Sequence, residues 1–244
     1  MGFVQNKKEI KKVKESMEIL IPAYNEEKNI EMVVKKALSW LKLNTKDYGI
    51  LVLDDGSQDN TSKILFSLSR ENNKIKVLYR KKNKGIGEAW KTLYKYSSKD
   101  VLFTCPADQQ FDPADFSKTL DHLGHTEIIS IYRQKREQYN LFRNFLSKAN
   151  WVVVKILFNL DIKDINWVKM YKRKVFQDLD LKLKSPLIET EIFAKAKKRG
   201  YRMLQIGAPH HPRKHGFSKG SNFKQVSLGF LDVLKLKFIT IKFK

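Results

Sequence analysis

Two groups of carboxylates stand about fifty residues apart, each at the end of an apolar run. Asp54 and Asp55 close Leu51-Val52-Leu53 and lead into Gly56-Ser57-Gln58-Asp59-Asn60-Thr61. Asp108, Gln110 and Asp112 follow the run from Val101 to Cys105, after Pro106 and Ala107. In an open α/β sheet the loops at the carboxyl ends of parallel strands form the ligand crevice. Carboxylates placed there would meet a sugar, a ribose or a hard divalent cation. Asp59 suits an Asx-type turn into a helix, which leaves Asp54 and Asp55 without local work, and Gly56 permits close backbone approach. Asp108, Gln110 and Asp112 alternate, so an extended segment points all three the same way. Oxygen ligands of this kind suit Mg²⁺ or Mn²⁺, which bridge diphosphate oxygens. Asp112 with Pro113 also reads as a helix N-cap followed by proline at the first helical position.

Further chemistry-bearing residues lie around these two loops. Pro22-Ala23-Tyr24-Asn25-Glu26 follows the first apolar strand, with Asn25 able to cap a helix. Asn83-Lys84-Gly85-Ile86-Gly87 precedes another helix, where glycines would let backbone N–H groups face a phosphate. Arg133, Lys135, Arg136 and Arg143 follow a later strand, and Ser147 sits one helical turn beyond Arg143. Arginine forks bind phosphate bidentately, so this cluster is a candidate phosphate site. His210-His211-Pro212-Arg213-Lys214-His215 precedes Gly216-Phe217-Ser218-Lys219. These three histidines have no cysteine or paired carboxylate beside them, which argues against a metal set. Glu189 and Glu191 precede an apolar helical face, as acceptor-side carboxylates or as favourable charges at a helix N-terminus.

The elements that must position these groups follow from periodicity. Strands are expected at Met17–Ile21 (halted by Pro22), Ile50–Leu53, Ile75–Tyr79, Val101–Cys105 and Glu127–Ile131. Helices fill the intervals, with Ile30, Val33, Val34, Ala37, Leu38 and Leu41 at helical spacing in the first. This alternation implies βαβ units and a mostly parallel sheet. Further on, a long helical region spans about Tyr139 to Phe158, and Ile165–Tyr171 is strand-like. A helix from Leu187 to Arg199 ends at Gly200, and a last strand runs from Tyr201 to Ile206.

Composition sets the wider bounds. Lys and Arg number 48 against 26 Asp and Glu, a net charge of +22. Such an excess favours phosphorylated substrates, an anionic membrane face or nucleic acid. Carboxylates at successive strand ends argue against nucleic acid, so none is expected as a partner. A nucleotidyltransferase would carry a glycine-rich basic loop after the first strand, which Pro22 to Glu26 lacks. The single Cys105 excludes an intramolecular disulfide and fits a reducing compartment and a core position. No export signal is legible, and no stretch reaches the roughly 18 apolar residues of a membrane span. The simplest partition is a basic lead-in (1–16), one domain (17–225, with a nucleotide-binding half 17–115 and an acceptor half 116–225), and an amphipathic basic tail (226–244). That tail is expected either to dock on an anionic membrane or to pack on the domain.

Taken in order, Pro-x-Tyr-Asn-Glu, Asp-Asp-Gly-Ser-x-Asp-x-Thr, Asn-x-Gly-x-Gly-x-Ala and Ala-Asp-x-Gln resemble the family-2 glycosyltransferases of the GT-A fold. The match is close over residues 17–115 and continues more loosely to about Lys219, towards the polyprenyl-phosphate (dolichol-phosphate mannose synthase-like) branch. The resemblance implies an α/β domain with a mostly parallel sheet and inverting transfer from a nucleotide-diphosphate sugar. It further implies a polyprenyl monophosphate or a glycan hydroxyl as acceptor. Pro22, Tyr24, Glu26, Asp54, Asp55, Gly85 and Gly87 would then hold the nucleotide, with Asp108 and Gln110 on Mg²⁺ or Mn²⁺. Arg133, Arg136, Arg143, Ser147 and Glu191 would face the acceptor, and Asp108, Arg213 and Lys219 would act in catalysis, Ser218 lying in the same closing element. Pro106 stands where the family usually carries the first Asp of Asp-x-Asp, and it offers no ligand. The implied setting is cytoplasmic, peripheral on the inner face of the cell membrane, with a possible membrane-protein partner.

Overall fold

The computed structural model describes residues 12–134, 151–177, 179–213, 232 and 235–240. Its strands are β1 (Met17–Ala23), β2 (Tyr48–Asp54), β3 (Ile75–Tyr79), β4 (Val101–Thr104), β5 (Ile128–Arg133), β6 (Lys169–Lys172) and β7 (Met203–Ala208). They form one sheet in the order β3-β2-β1-β4-β6-β5-β7. β6 runs antiparallel to both neighbours, and the other six strands point the same way. The helices are α1 (Ile30–Asn44), α2 (Thr61–Glu71), α3 (Ile86–Tyr96), the short α4 (Ser117–Leu120), α5 (151–158), the single-turn α6 (Lys174–Gln177) and α7 (Ile188–Lys198).

The central strands are apolar on both faces because helices cover both. Ile19, Ile21, Ile50 and Val52 pack with Val34, Leu41 and Leu65 of α1 and α2. Their alternating neighbours Leu20, Leu51 and Leu53 pack with Leu93 of α3 and Ile192 of α7 on the other face. That is the near-continuous hydrophobic run expected of a covered parallel sheet.

β1 continues through Pro22, which the sequence reading took as its stop. The Leu20 carbonyl accepts from the N–H of Cys105, just past β4, at 2.9 Å, so Pro22, two residues on, faces the same side. β1 and β4 pair only as far as Leu20 and Thr104, so the missing N–H costs no ladder bond. Gly200 ends α7 as expected, at φ 73°. Its N–H donates to Lys197 and that of Tyr201 to Ala196, the paired C-terminal bonds of a Schellman motif. Of the long helix expected over 139–158, the segment 151–158 is helical and the rest lies outside the described residues. Residues 235–240 lie against α5: buried Leu236 packs with Val153 and Leu157, and the Lys237 ammonium donates to the Leu157 carbonyl at 2.7 Å.

Candidate functional site

Because six strands are parallel, the loops after β1, β2, β3, β4, β5 and β7 emerge at one edge of the sheet. Strand order reverses between β1 and β4, where ligands of such sheets bind. The first loop is fastened to the second. Asn25 adopts a left-handed backbone (φ 54°), its N–H donates to Ser57 Oγ at 3.0 Å, and its side chain accepts from the Gln58 N–H at 2.8 Å. Asn25 therefore clamps two loops. The N-cap position of α1 falls to Asn29, without a side-chain cap. Glu26 N–H donates to Thr61 Oγ1 at 2.8 Å, and Asp59 forms the expected Asx-type turn into α2 by accepting from the Thr61 N–H at 3.0 Å, Asn60 being the N-cap.

Asp54 and Asp55 are both buried, and each is engaged by the loops. Asp54 accepts from the Ser57 N–H at 2.9 Å and from the Ser62 hydroxyl. Asp55 takes an ion pair from Arg80 at 2.6 Å and the N–H groups of Lys84 and Gly85 at 3.1 and 3.0 Å. The Gly85 and Lys84 N–H groups, read from sequence as phosphate donors, thus point at Asp55. Gly85 has φ 87°, which favours glycine, while Gly87 is required by packing: a Cβ there would lie 2.2 Å from the Lys184 and Ser185 carbonyl oxygens. Pro22 and Tyr24 lie at the half-buried start of this crevice.

Opposite lies the β4 loop. Asp108 accepts from the Gln110 N–H at 3.1 Å, and Gln109 (φ 61°) sends its amide to Asn29 at 3.0 Å. Asn29 in turn donates to Glu26 at 2.7 Å. Asp112 caps the turn at Pro113–Phe116 through the Ala114 N–H and pairs with Lys36 at 2.6 Å, so it is directed away from Asp108's role. The segment after β7 closes over this loop. His211 N–H donates to the Gln110 carbonyl at 3.0 Å. Arg213 pairs with Glu26 at 2.5 Å and stands 3.7 Å from Asp108. His210 packs edge-on to Trp167 at 5.9 Å, and burial together with the Arg133 charge lowers its pKa.

At the β5 end, Arg133 makes a two-pronged pair with Asp164, at 2.7 Å from Nε and 3.0 Å from Nη2. Its guanidinium lies 5.4 Å from the Trp167 ring, which in turn meets Phe111 of the β4 loop at 5.5 Å. Below them Lys169 is wholly buried and donates to the Asp164 carbonyl at 3.1 Å; burial lowers its pKa to about 8. Sequence reading missed Asp164, Arg80, Trp167 and Lys169, because their value lies in partners that only folding supplies.

Glu191 is removed from any acceptor role by its burial. It is wholly buried, accepts from the Lys182 and Leu183 N–H groups at 2.9 and 2.8 Å and pairs with Lys195 at 2.5 Å. Glu189 is buried too, bound by the hydroxyls of Tyr94 (2.6 Å) and Tyr171, and burial raises its pKa. Arg136, Arg143, Ser147, Ser218 and Lys219 lie outside the described residues.

A divalent cation fits this edge only in part. Among the described residues no three carboxylate, histidine or cysteine groups gather as a ligand set. Asp108 is the carboxylate this loop offers, with Gln110 two residues on as the amide expected to join it and Pro106 supplying none. Mg²⁺ commonly takes one or two carboxylates, the rest of its shell being waters and substrate phosphates. The residues therefore fit a cation that arrives with a diphosphate.

Residues 18–184 match the model of Glycosyl transferase family 2. An undecaprenyl-phosphate 4-deoxy-4-formamido-L-arabinose transferase of Proteus mirabilis is 24% identical over 212 residues, covering 86% of this chain and 64% of the relative. The protein of the same name from Photorhabdus laumondii is 25% identical over 230 residues, covering 93% and 67%. The chain thus spans about two thirds of the length of these relatives. A glucosyl-3-phosphoglycerate synthase from Mycobacterium tuberculosis, solved with Mn²⁺, UDP and phosphoglyceric acid, superposes with a TM-score of 0.71 at 13% identity, covering 94% of this chain and 80% of that one. The same enzyme with Mg²⁺ and UDP gives 0.69 at 12% identity, covering 93% and 79%.

Proposed function

The chain belongs to glycosyltransferase family 2, and from that premise we propose that it transfers a sugar, with inversion, from a nucleoside-diphosphate sugar to a polyprenyl monophosphate. The observation that carries this reading is the convergence of Glu26, Asp108 and Arg213 at the reversal point of the sheet, with Arg133 at the same edge. The names of the similar undecaprenyl-phosphate transferases support the acceptor class. The neighbour crystallised with UDP and Mn²⁺ or Mg²⁺ supports the donor class and the cation.

The chemistry follows from charge. A phosphate oxygen of the acceptor attacks the anomeric carbon as the bond from that carbon to the diphosphate breaks, and the electron pair leaves with the nucleoside diphosphate. The attacking oxygen is already anionic, so no proton has to be removed. That suits this site, because Glu189 and Glu191, the candidate bases for a hydroxyl acceptor, are both buried and engaged. Asp108 and Gln110 would hold the divalent cation, which neutralises charge on the departing diphosphate. Arg213 stands beside Asp108, where it stabilises the same developing charge. Asp54 and Asp55 shape the nucleotide crevice by holding the β2–α2 and β3–α3 loops in place.

The same reading places the protein on an anionic bilayer from the cytoplasmic side. Among the described residues no helix is long and apolar enough to cross a membrane. α5 and residues 235–240 instead pack together and leave Ile156 (74% exposed), Phe238 (67%) and Val152 outward, and Lys155 and Lys235 on the same two segments are exposed too, Lys155 pairing with Asp161. Apolar groups rimmed by lysine complement an anionic lipid surface. The deciding experiment is a donor screen with Mn²⁺ and undecaprenyl phosphate. Sugar-phosphate-lipid formation is the expected outcome. Transfer to water or to sugar hydroxyls alone, with none to the lipid, would overturn the reading.

A further inference from the structure

We propose that Asp164 is a positioning residue that aims the Arg133 guanidinium at the acceptor phosphate. This rests on the acceptor reading above and names a residue for which that reading has no role. Three observations carry it. Asp164 engages Arg133 through two oxygens, accepting from Nε at 2.7 Å and Nη2 at 3.0 Å, which fixes the plane of the guanidinium and not merely its distance. The pair is nearly dry, with side chains 12% and 5% exposed, and the Trp167 ring stacks on the guanidinium at 5.4 Å. Asp164 is itself pinned, since the buried Lys169 ammonium donates to its carbonyl at 3.1 Å.

A long arginine side chain at the end of a strand would otherwise sample many rotamers, and ordering it on binding weakens affinity. Held by Asp164 and Trp167, it is ordered before the ligand arrives. The edge it occupies is shared with Asp108 and Arg213, and Trp167 touches both His210 and Phe111, so the guanidinium is fixed relative to the diphosphate loop. Asparagine at 164 would keep the size and lose the charge and one of the two acceptors.

The test measures binding of farnesyl monophosphate and of UDP to the full chain, with Trp fluorescence as the signal. Asp164→Asn is expected to weaken farnesyl monophosphate about tenfold, the loss of a charge-assisted hydrogen bond, and to leave UDP within about twofold. In an Arg133→Ala background the same substitution is expected to add nothing, because there is no guanidinium left to aim. Equal weakening of both ligands, or an undiminished effect in the Arg133→Ala background, would show that Asp164 is only structural. Should Asp164→Asn not fold, Asp164→Glu keeps the charge with a displaced carboxylate, and a smaller loss confined to farnesyl monophosphate is expected; no loss would overturn the proposal. If Arg133→Ala alone binds farnesyl monophosphate as tightly as the parent, the acceptor reading of this edge falls, and the role of Asp164 with it.

Discussion

Arg213 donates to the Glu26 carboxylate at 2.5 Å across 187 residues of sequence, and the same guanidinium stands 3.7 Å from Asp108. The guanidinium thereby links the β1 loop, the β4 loop and the segment after β7, a position from which it can turn to a diphosphate when one binds. Arg213→Ala is expected to lower kcat by about 100-fold, in line with removal of a single electrostatic donor. Arg213→Lys should recover only part of this, since an ammonium lacks the fork that spans two oxygens. Steady-state kinetics with thermal melts as a folding control decide it, and an unchanged kcat would remove Arg213 from the reaction.

Asp108→Asn tests the cation. With Pro106 in place of a second carboxylate, Asp108 would carry the protein's share of the charge on the proposed reading, so the Mn²⁺ concentration for half-maximal activity should rise by more than about tenfold. Chelation should abolish activity in the parent. Full activity after both treatments would retire the metal role.

The two glycines before and within α3 are expected to behave differently. Gly87→Ala drives a methyl into two backbone carbonyls and should cost about 3 kcal/mol or more, read as a large drop in Tm or loss of soluble protein. Gly85→Ala meets nothing but must hold φ 87°, costing roughly 1–2 kcal/mol. A smaller loss at Gly87 than at Gly85 would contradict the packing seen here.

Glu127 gives a pH signature. The Arg202 guanidinium, which it receives at 3.0 and 3.2 Å, with Lys174 beside it, lowers its pKa from 4.5 to about 2. A depressed carboxylate stabilises the fold above its unfolded pKa, and that contribution is lost as pH falls from about 4.5 towards 2. Glu127→Gln should therefore flatten the acid limb of the stability curve in that window while lowering stability at neutral pH. Parallel acid limbs for parent and variant would refute the assignment.

Vesicle sedimentation examines the lysine-rimmed apolar face. Binding to phosphatidylglycerol-containing vesicles should exceed binding to neutral ones and weaken with salt. The pair Ile156→Asp and Phe238→Asp should abolish it without changing Tm. Retention of binding by both variants would place the membrane contact elsewhere.

The parallel sheet was legible because its strands are apolar runs broken by turn residues, and periodicity alone separates them from the helices. The sheet edge that gathers the candidate site residues was legible for the same reason: Asp54, Asp108 and Arg133 each stand at the end of such a run or just beyond it. The tasks of individual side chains were not. Asp55 and the Gly85 N–H were both read as ligand groups, yet they satisfy each other at 3.0 Å. Glu191 was expected either to face an acceptor or to stand as a charge at a helix start; it lies in the first turn of α7, sealed against Lys195. Hydrogen-bond partners across 30 or 187 residues leave no periodic trace in sequence.

The alternation of strand and helix, the carboxylates at strand ends and the strong positive charge are all written along the chain. These are local properties, set by side-chain period and turn chemistry. Tertiary structure alone decided that Arg213 reaches Glu26 and Asp108, that Asp164 holds Arg133, and that Lys169 lies beneath them. Those contacts depend on the reversal of strand order at β1 and β4 and on the antiparallel β6, which bring distant loops to one edge. Ion pairs of this kind hold their geometry where burial strips away competing water, and burial is a property of the whole fold.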